Sequence, residues 1–340
     1  MSEDAAWLIR LPEVFSGVVP EVLAALGGGP AKVLGDYRLV KLPAERTPLD
    51  GPEGIFIPWC LPVQHAWPCD PRKIDGFIEK AAGGLLQKFG ERELSTVWVG
   101  TLESGPAGSW FKRLASNLRG RALQMFAQPP VALAAAGGQD PDVPALFCLV
   151  GRQGLYAGVA TPRECNGFYP GGVRYLPKGT PETISRAGAK VAGALHQLRL
   201  HGVPPGAGAH WLELGASPGG MTSELLGRDW RVTAIDRAAL DPRLDGAAGL
   251  KFFRQDVAAF RVPAGERYDG LLCDMNGAPS AAFGQVLRLS RHLTSGAWAI
   301  FTLKTTDREG FHETLALHEE IRAMAAGESL KHVATSHLSG

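Results

Sequence analysis

Apolar residues along the first half of the chain fall into two rhythms. Ala6–Leu11, Lys32–Leu42, Ile55–Leu61 (broken by Pro58) and Ser95–Thr101 read as short strands between Gly-, Pro- and Asp-bearing turns. Pro12–Leu26 carries Val14, Val18, Val22 and Leu26 at helical spacing and stops at Gly27-Gly28-Gly29. Pro71–Phe89, through Ile74, Phe77, Ile78 and Leu85, and Ser109–Leu118 also predict helices. Ala145–Val150 and Leu155–Ala160 flank Gly151-Arg152-Gln153-Gly154, which predicts a hairpin. Pro129–Ala136 is apolar without a defined rhythm. The opening β-α-β run predicts a small ferredoxin-like unit over residues 1–68, and a second α+β unit follows over 69–164.

Residues 165–180 are rich in Gly, Pro and aromatics and read as a linker. Thr180-Pro181 is a helix-start signal, and Ile184, Ala187, Val191, Leu195 and Leu198 then form one apolar stripe. From there strand and helix alternate. Strands are predicted at 211–214, Arg231–Ile235, Lys251–Phe253, Tyr268–Cys273, Trp298–Lys304 and Leu330–Ser336, with helices at 220–227, Ser280–His292 and Gly310–Ala326. Such alternation predicts a Rossmann-like parallel sheet with helices on both faces over 181–340, an α/β domain behind an α+β region.

The first of these strands runs into Gly215-Ala216-Ser217-Pro218-Gly219-Gly220 and then a helix start. In open parallel sheets, nucleotides bind at such a turn. Gly-x-Gly-x-x-Gly and Gly-Lys-Ser/Thr are both absent, which argues against a pyrophosphate. An ordinary strand-turn-helix corner would also explain the glycines. Asp236 ends the second strand about twenty residues later, where a carboxylate can accept both ribose hydroxyls of an adenosine. NAD enzymes place an acid similarly. Asp256 follows the third strand and fits a capping residue equally well.

Asp274 closes the fourth strand and Lys304 the fifth. Adjacent parallel strands would set the two side chains side by side near the glycine turn. A lysine closing an apolar strand is costly unless paired, and the aspartate supplies a partner; a purely structural salt bridge is the plainer reading. Cys273 is expected to point away from the Asp274 side.

Composition narrows the class. Hydrophobic residues make up 45% and charged residues 20%, ordinary for a globular protein. The five cysteines show neither zinc-ligand spacing nor a disulfide framework, so a reducing cytoplasm is expected. No run reaches membrane-span length, and no signal peptide is expected. The net charge of +1 does not advertise nucleic-acid binding. Locally, Lys112, Arg113, Arg119 and Arg121 form an acid-free basic run, either a solvated helix face or a phosphate-binding patch.

Gly215-Ala-Ser-Pro-Gly-Gly-Met-Thr222 resembles the S-adenosylmethionine motif of the FtsJ-like ribose 2′-O-methyltransferases, Gly-Ala-x-Pro-Gly-Gly-Trp-Thr, with Met221 in place of tryptophan. The stretch from Leu146-Phe-Cys-Leu-Val150 through Phe168-Tyr-Pro-Gly-Gly172 to Tyr175-Leu-Pro-Lys178 is similar to one subgroup: bacterial enzymes that methylate a cytidine ribose in 23S ribosomal RNA and carry a THUMP domain ahead of the catalytic domain. The resemblance implies S-adenosylmethionine as cofactor, held by Ser185, residues 215–220, Asp236, Asp256 (at the adenine amino group) and Asp274. Ser185-Arg-Ala-Gly-Ala-Lys190 is similar to the family's Ser-Arg-x-x-x-Lys, whose lysine belongs to a Lys-Asp-Lys-Glu tetrad. It further implies Lys304 as general base, Asp274 as its orienting partner and Lys190 as a hold on the target ribose and phosphate. No metal is implied, and a monomer acting on 23S ribosomal RNA is expected. By itself Lys190 would read as a surface lysine.

No residue matches the tetrad glutamate, which opens a seventh strand in the family; the last acid here is Glu328. The strand of Lys304 is therefore expected at the sheet edge, with Leu330–Gly340 poorly held or a C-terminal hairpin missing. Rival readings are a methyltransferase for another RNA, a catalytically silent RNA-binding module of the same fold, and an NAD-dependent oxidoreductase.

Overall fold

The computed structural model describes residues 4–27, 29, 31–103, 108–126, 139–172, 184–305, 310–328 and 330–335. The chain divides into two compact units, essentially residues 1–174 and 175–334.

The first unit holds two four-stranded sheets. One is built from β1 (Ala5–Arg10), β2 (Lys32–Leu34), β3 (Tyr37–Leu42) and β4 (Cys60–Pro62) in the order β2-β3-β1-β4, every neighbour antiparallel. The expected β-α-β unit is present but split, because β3 lies between β1 and β2. Lys32–Leu42 is thus a hairpin and not one strand: Gly35-Asp36 reverses it. Pro12–Leu26 begins as a 3₁₀ helix (Glu13–Val18) before α1 (Val19–Ala25). Ile55–Leu61 departs from expectation too. Pro52–Phe56 forms a 3₁₀ turn, and only Cys60–Pro62 pairs, since Pro58 cannot donate to a ladder.

The second sheet comprises β5 (His65–Trp67), β6 (Val97–Thr101), β7 (Ala145–Gly151) and β8 (Gly154–Ala160), ordered β5-β8-β7-β6. The β7–β8 hairpin forms as expected, closing on a Gly151–Gly154 pair. Helices α2 (Phe77–Phe89) and α3 (Ser109–Met125) cover one face. Their Phe77, Leu85, Phe89, Phe111 and Leu118 pack on Leu146, Cys148 and Val150 of β7. Alternate β7 residues supply that face, the period of a strand. Pro129–Ala136 and Thr180-Pro181 lie outside the described residues.

The second unit is a five-stranded parallel sheet: β9 (His210–Leu214), β10 (Arg231–Asp236), β11 (Leu250–Arg254), β12 (Tyr268–Cys273) and β13 (Leu293–Phe301), in the order β11-β10-β9-β12-β13. Helices α4 (Ala187–Leu198) and α5 (Gly220–Leu226) pack on one face, and α6 (Pro279–Ser290) and α7 (Phe311–Ala326) on the other. The strands divide their residues by parity. Trp211 and Leu272 face α4 and α5, whereas Leu212, Leu214, Leu271 and Cys273 face α6 and α7. This is the doubly wound arrangement the alternation predicts, with its first strand central and its order reversing between β9 and β12.

Two endings differ from expectation. Strand β13 closes at Phe301, so Lys304 lies three residues past it and not at its end. Leu330–Ser336 is not a strand over its described residues, 330–335. As expected, β13 is the sheet edge among the described residues.

Candidate active site

The carboxyl end of β9 leads directly into the glycine turn. Gly215 has φ of +80°, and a Cβ there would stand 3.1 Å from the Met275 backbone N and Cα. The turn therefore packs against the loop leaving β12, and the Asp274 amide donates to the Leu214 carbonyl at 3.1 Å. Gly219 has φ of +107° and opens α5. Both conformations exclude ordinary side chains. Ser185 lies against Gly220, whose missing Cβ its hydroxyl would otherwise meet, and its Oγ accepts from the Ala187 amide at 3.3 Å. Ala216 is buried, while Ser217 is half-buried and Pro218 exposed. Met221 is buried among Val191, Leu195 and Leu225, so the position of the family's tryptophan is filled as core.

Asp236 leaves β10 and faces the turn. Its Oδ2 accepts from the Ser217 amide at 3.0 Å and its Oδ1 from the Ala238 amide at 2.8 Å. Each oxygen keeps a further acceptor site. Asp256 caps a 3₁₀ turn, Oδ1 accepting from the Ala258 amide at 2.8 Å, while Oδ2 stands 3.8 Å from Arg237 Nη1. The capping alternative is thus realised, with one oxygen left toward solvent.

Asp274 and Lys304 come together as expected. Lys304 Nζ is 3.2 Å from Asp274 Oδ1 and donates at 2.8 Å to both the Asp274 carbonyl and Asn276 Oδ1. Three oxygens from one short loop therefore fix the ammonium. Asp274 Oδ1 is buried against the Lys304 ammonium and accepts no further hydrogen bond among the described residues. Lys190 lies half-buried on α4 and makes no hydrogen bond or ion pair among the described residues. Cys273 is buried with Leu271 on the α6 side, and burial pushes its thiol up to about 11, too high for a thiolate nucleophile near neutrality.

Two partners escape a reading of the sequence. Glu213, in mid-β9, is only 2% exposed and accepts from Thr222 Oγ1 at 2.7 Å. Burial, with lesser help from the field of Asp274, pushes its carboxyl up to about 8. The signal was a lone acid inside Trp-Leu-Glu-Leu, where an apolar residue is the rule. Asn276 was signalled only by its place two residues after Asp274. Among the described residues, no group of three or more His, Cys, Asp or Glu could hold a metal ion.

The chain is 31% identical over 276 residues to ribosomal RNA large subunit methyltransferase M of Methylococcus capsulatus, an alignment covering 78% of this chain and 70% of that protein. It belongs to that family. The family's protein from Halorhodospira halophila is 34% identical over 176 residues, 50% of this chain and 48% of its own length. That from Shewanella frigidimarina is 26% identical over 248 residues, 72% and 65%. The chain thus spans from about half to seven tenths of these relatives. No family model matches it. Among solved structures, TrmN from Thermus thermophilus is similar at 17% identity and a TM-score of 0.31, covering 87% of this chain and 88% of that one.

Proposed function

We propose that this chain binds S-adenosylmethionine at the glycine turn and methylates the ribose 2′-hydroxyl of a cytidine in 23S ribosomal RNA. The observation that carries the reading is the Lys304–Asp274 pair, 3.2 Å apart, in the loops that leave adjacent strands beside Gly215. The name of the relatives, a large-subunit ribosomal RNA methyltransferase, supports it.

The residues present fit the cofactor. Gly215 and Gly219 shape the cradle with positive-φ backbone, their Cβ directions already closed by Met275 and Leu244, and Asp236 keeps a further acceptor site on each oxygen. Residues 215–220 and Ser185 would line the cradle, Asp236 would accept ribose hydroxyls at its remaining acceptor sites, and Asp256 would reach an adenine amino group. When bound, the cofactor supplies an electrophilic methyl group.

A ribose hydroxyl is a weak nucleophile near neutrality and needs a base. Lys304 would take its proton at Nζ, having first released one of its own to solvent. Asp274 and Asn276 hold Nζ in place, so much of the rate enhancement would come from positioning. Lys190, which makes no ion pair of its own among the described residues, would hold the target ribose and phosphate. Residues 69–164 would act as a THUMP domain that grips RNA, residues 1–68 as a ferredoxin-like unit, 165–180 as a linker and 181–340 as the catalytic domain. The protein would work as a cytoplasmic monomer; no helix among the described residues is long and apolar enough to cross a membrane. Calorimetry tests the cofactor reading. S-adenosylmethionine should bind and NAD should not, and the reverse would return the oxidoreductase.

A further inference from the structure

The four cations of the basic run do not share one fate. Arg119 is absorbed by its own unit: Nε donates to the Val97 carbonyl at 2.8 Å, and the guanidinium lies 4.6 Å from the Trp98 ring centroid. Arg121 pairs with Glu79 at 2.8 Å. Lys112 and Arg113 are exposed on α3; Lys112 has a partner of its own, whereas Arg113 makes no hydrogen bond or ion pair among the described residues. Beside them Trp110 is 37% exposed, its ring held edge-on by Phe111 at 4.9 Å between centroids.

Helix geometry puts Trp110, Arg113 and Asn117 in one stripe, three and four residues apart, with Lys112 and Ser116 in the next. The opposite stripe, with Phe111, Leu114 and Leu118, is committed to the core. α3 contains no acid, so its own sequence offers Arg113 no counter-charge. Lys112 and Arg113 also stand toward its amino-terminal end, whereas cations favour a helix at the carboxyl-terminal end. Helix stability does not account for a tryptophan that leaves 37% of its surface in solvent beside them.

We propose that this exposed face of α3 docks a single-stranded segment of RNA. A base stacks on Trp110 while Arg113 meets a flanking phosphate. The partner must be anionic, and it must offer flat apolar faces spaced along its charge; unpaired nucleotides meet both demands. The inference rests on the RNA-directed reading above and assigns that RNA a surface on the first unit.

The test measures binding of the full chain to a fluorescein-labelled, unstructured 20-nucleotide RNA by anisotropy over a salt series. Trp110→Ala should weaken binding roughly 5- to 150-fold, the range of a lost base–aromatic stack, and Trp110→Phe should restore much of it. Arg113→Ala should weaken binding and reduce the slope of log affinity against log salt by roughly 0.7, one phosphate contact on a single strand. Arg121→Ala removes the same charge from a cation already paired with Glu79 and should leave affinity within about twofold. Circular dichroism confirms folding, and the exposed Arg113 site keeps the test valid should Trp110→Ala unfold. Wild-type affinity in both Trp110→Ala and Arg113→Ala would overturn the proposal. So would equal losses in Arg113→Ala and Arg121→Ala, or binding to phosphatidylserine vesicles but not to RNA. Methyl transfer is scored separately. Transfer with unchanged RNA affinity in the variants sinks this surface alone, whereas absent transfer by the wild type sinks the enzymatic reading alone.

Discussion

Glu213 and Asp274 come from neighbouring parallel strands at the same end of one sheet, yet they live in different surroundings. Glu213 forms the floor of the turn, sealed beneath α5 with the hydroxyl and backbone of Thr222 against it. Asp274 forms the rim, with a side chain 18% exposed and a lysine at 3.2 Å. A carboxylate buried without a counter-charge holds its proton, and burial accordingly raises Glu213. A carboxylate beside an ammonium forms an ion pair. The site thus keeps an acid inclined to neutrality for structure and an ion pair for chemistry on neighbouring strands. That division can be broken from either side.

The largest effect is expected at the rim. Lys304→Ala should lower methyl transfer at least 10²-fold, the contribution of a general base, while affinity for S-adenosylmethionine stays within a few fold. Single-turnover transfer beside calorimetry checks both halves, and near wild-type transfer would remove Lys304 as the base.

At the floor, Glu213→Gln should act on stability and its pH dependence. The native state binds the Glu213 proton more tightly than the unfolded chain does. Its stabilising contribution is therefore complete below the ordinary carboxylate range and is lost as pH rises toward about 8. Glutamine keeps an uncharged hydrogen-bonding group, so the variant should gain on the wild type as pH rises from about 4.5 to about 8, by up to roughly 5 kcal/mol at about 1.4 kcal/mol per pKa unit. Urea melts at pH 5 and pH 8.5 measure the gap; an equal difference at both pH values would show that Glu213 ionises freely in the folded protein.

Asp236 lies between these extremes, bonded to two amides with acceptor capacity to spare. Asp236→Ala should weaken S-adenosylmethionine by roughly 1–3 kcal/mol. An unchanged dissociation constant would refute the ribose contact. Asp256→Ala should be the smallest, costing about 1 kcal/mol of stability through the lost cap of the Ala258 amide. A change of several kcal/mol would mean that the residue supports more than that turn.

The rim was more legible than the floor because its signals are local. Strand, glycine turn and helix stand in one short run, and Asp274 and Lys304 close apolar runs whose neighbours follow from strand alternation. Lys304 was misplaced by three residues because Ile-Phe-Thr-Leu-Lys stays apolar after Phe301, where pairing with β12 stops. Leu330–Ser336 misled for the same reason: its apolar residues suit a strand, but a strand also needs a neighbour. In the first unit the β7–β8 hairpin was plain from its glycine turn, whereas the reversal at Gly35 lay hidden inside a continuous apolar segment. Arg119 shows the limit of counting charge. It reads as surface, and only the fold reveals that it lies on Trp98 and holds the Val97 carbonyl.

The central claim is transfer of a methyl group to a ribose oxygen, and one measurement meets it directly. The purified chain is incubated with tritiated-methyl S-adenosylmethionine and deproteinised 23S ribosomal RNA, and the RNA is digested to nucleosides and separated. The account predicts label in 2′-O-methylcytidine and nowhere else, absent with Lys304→Ala. Label on a base, or on another nucleoside's ribose, would contradict it.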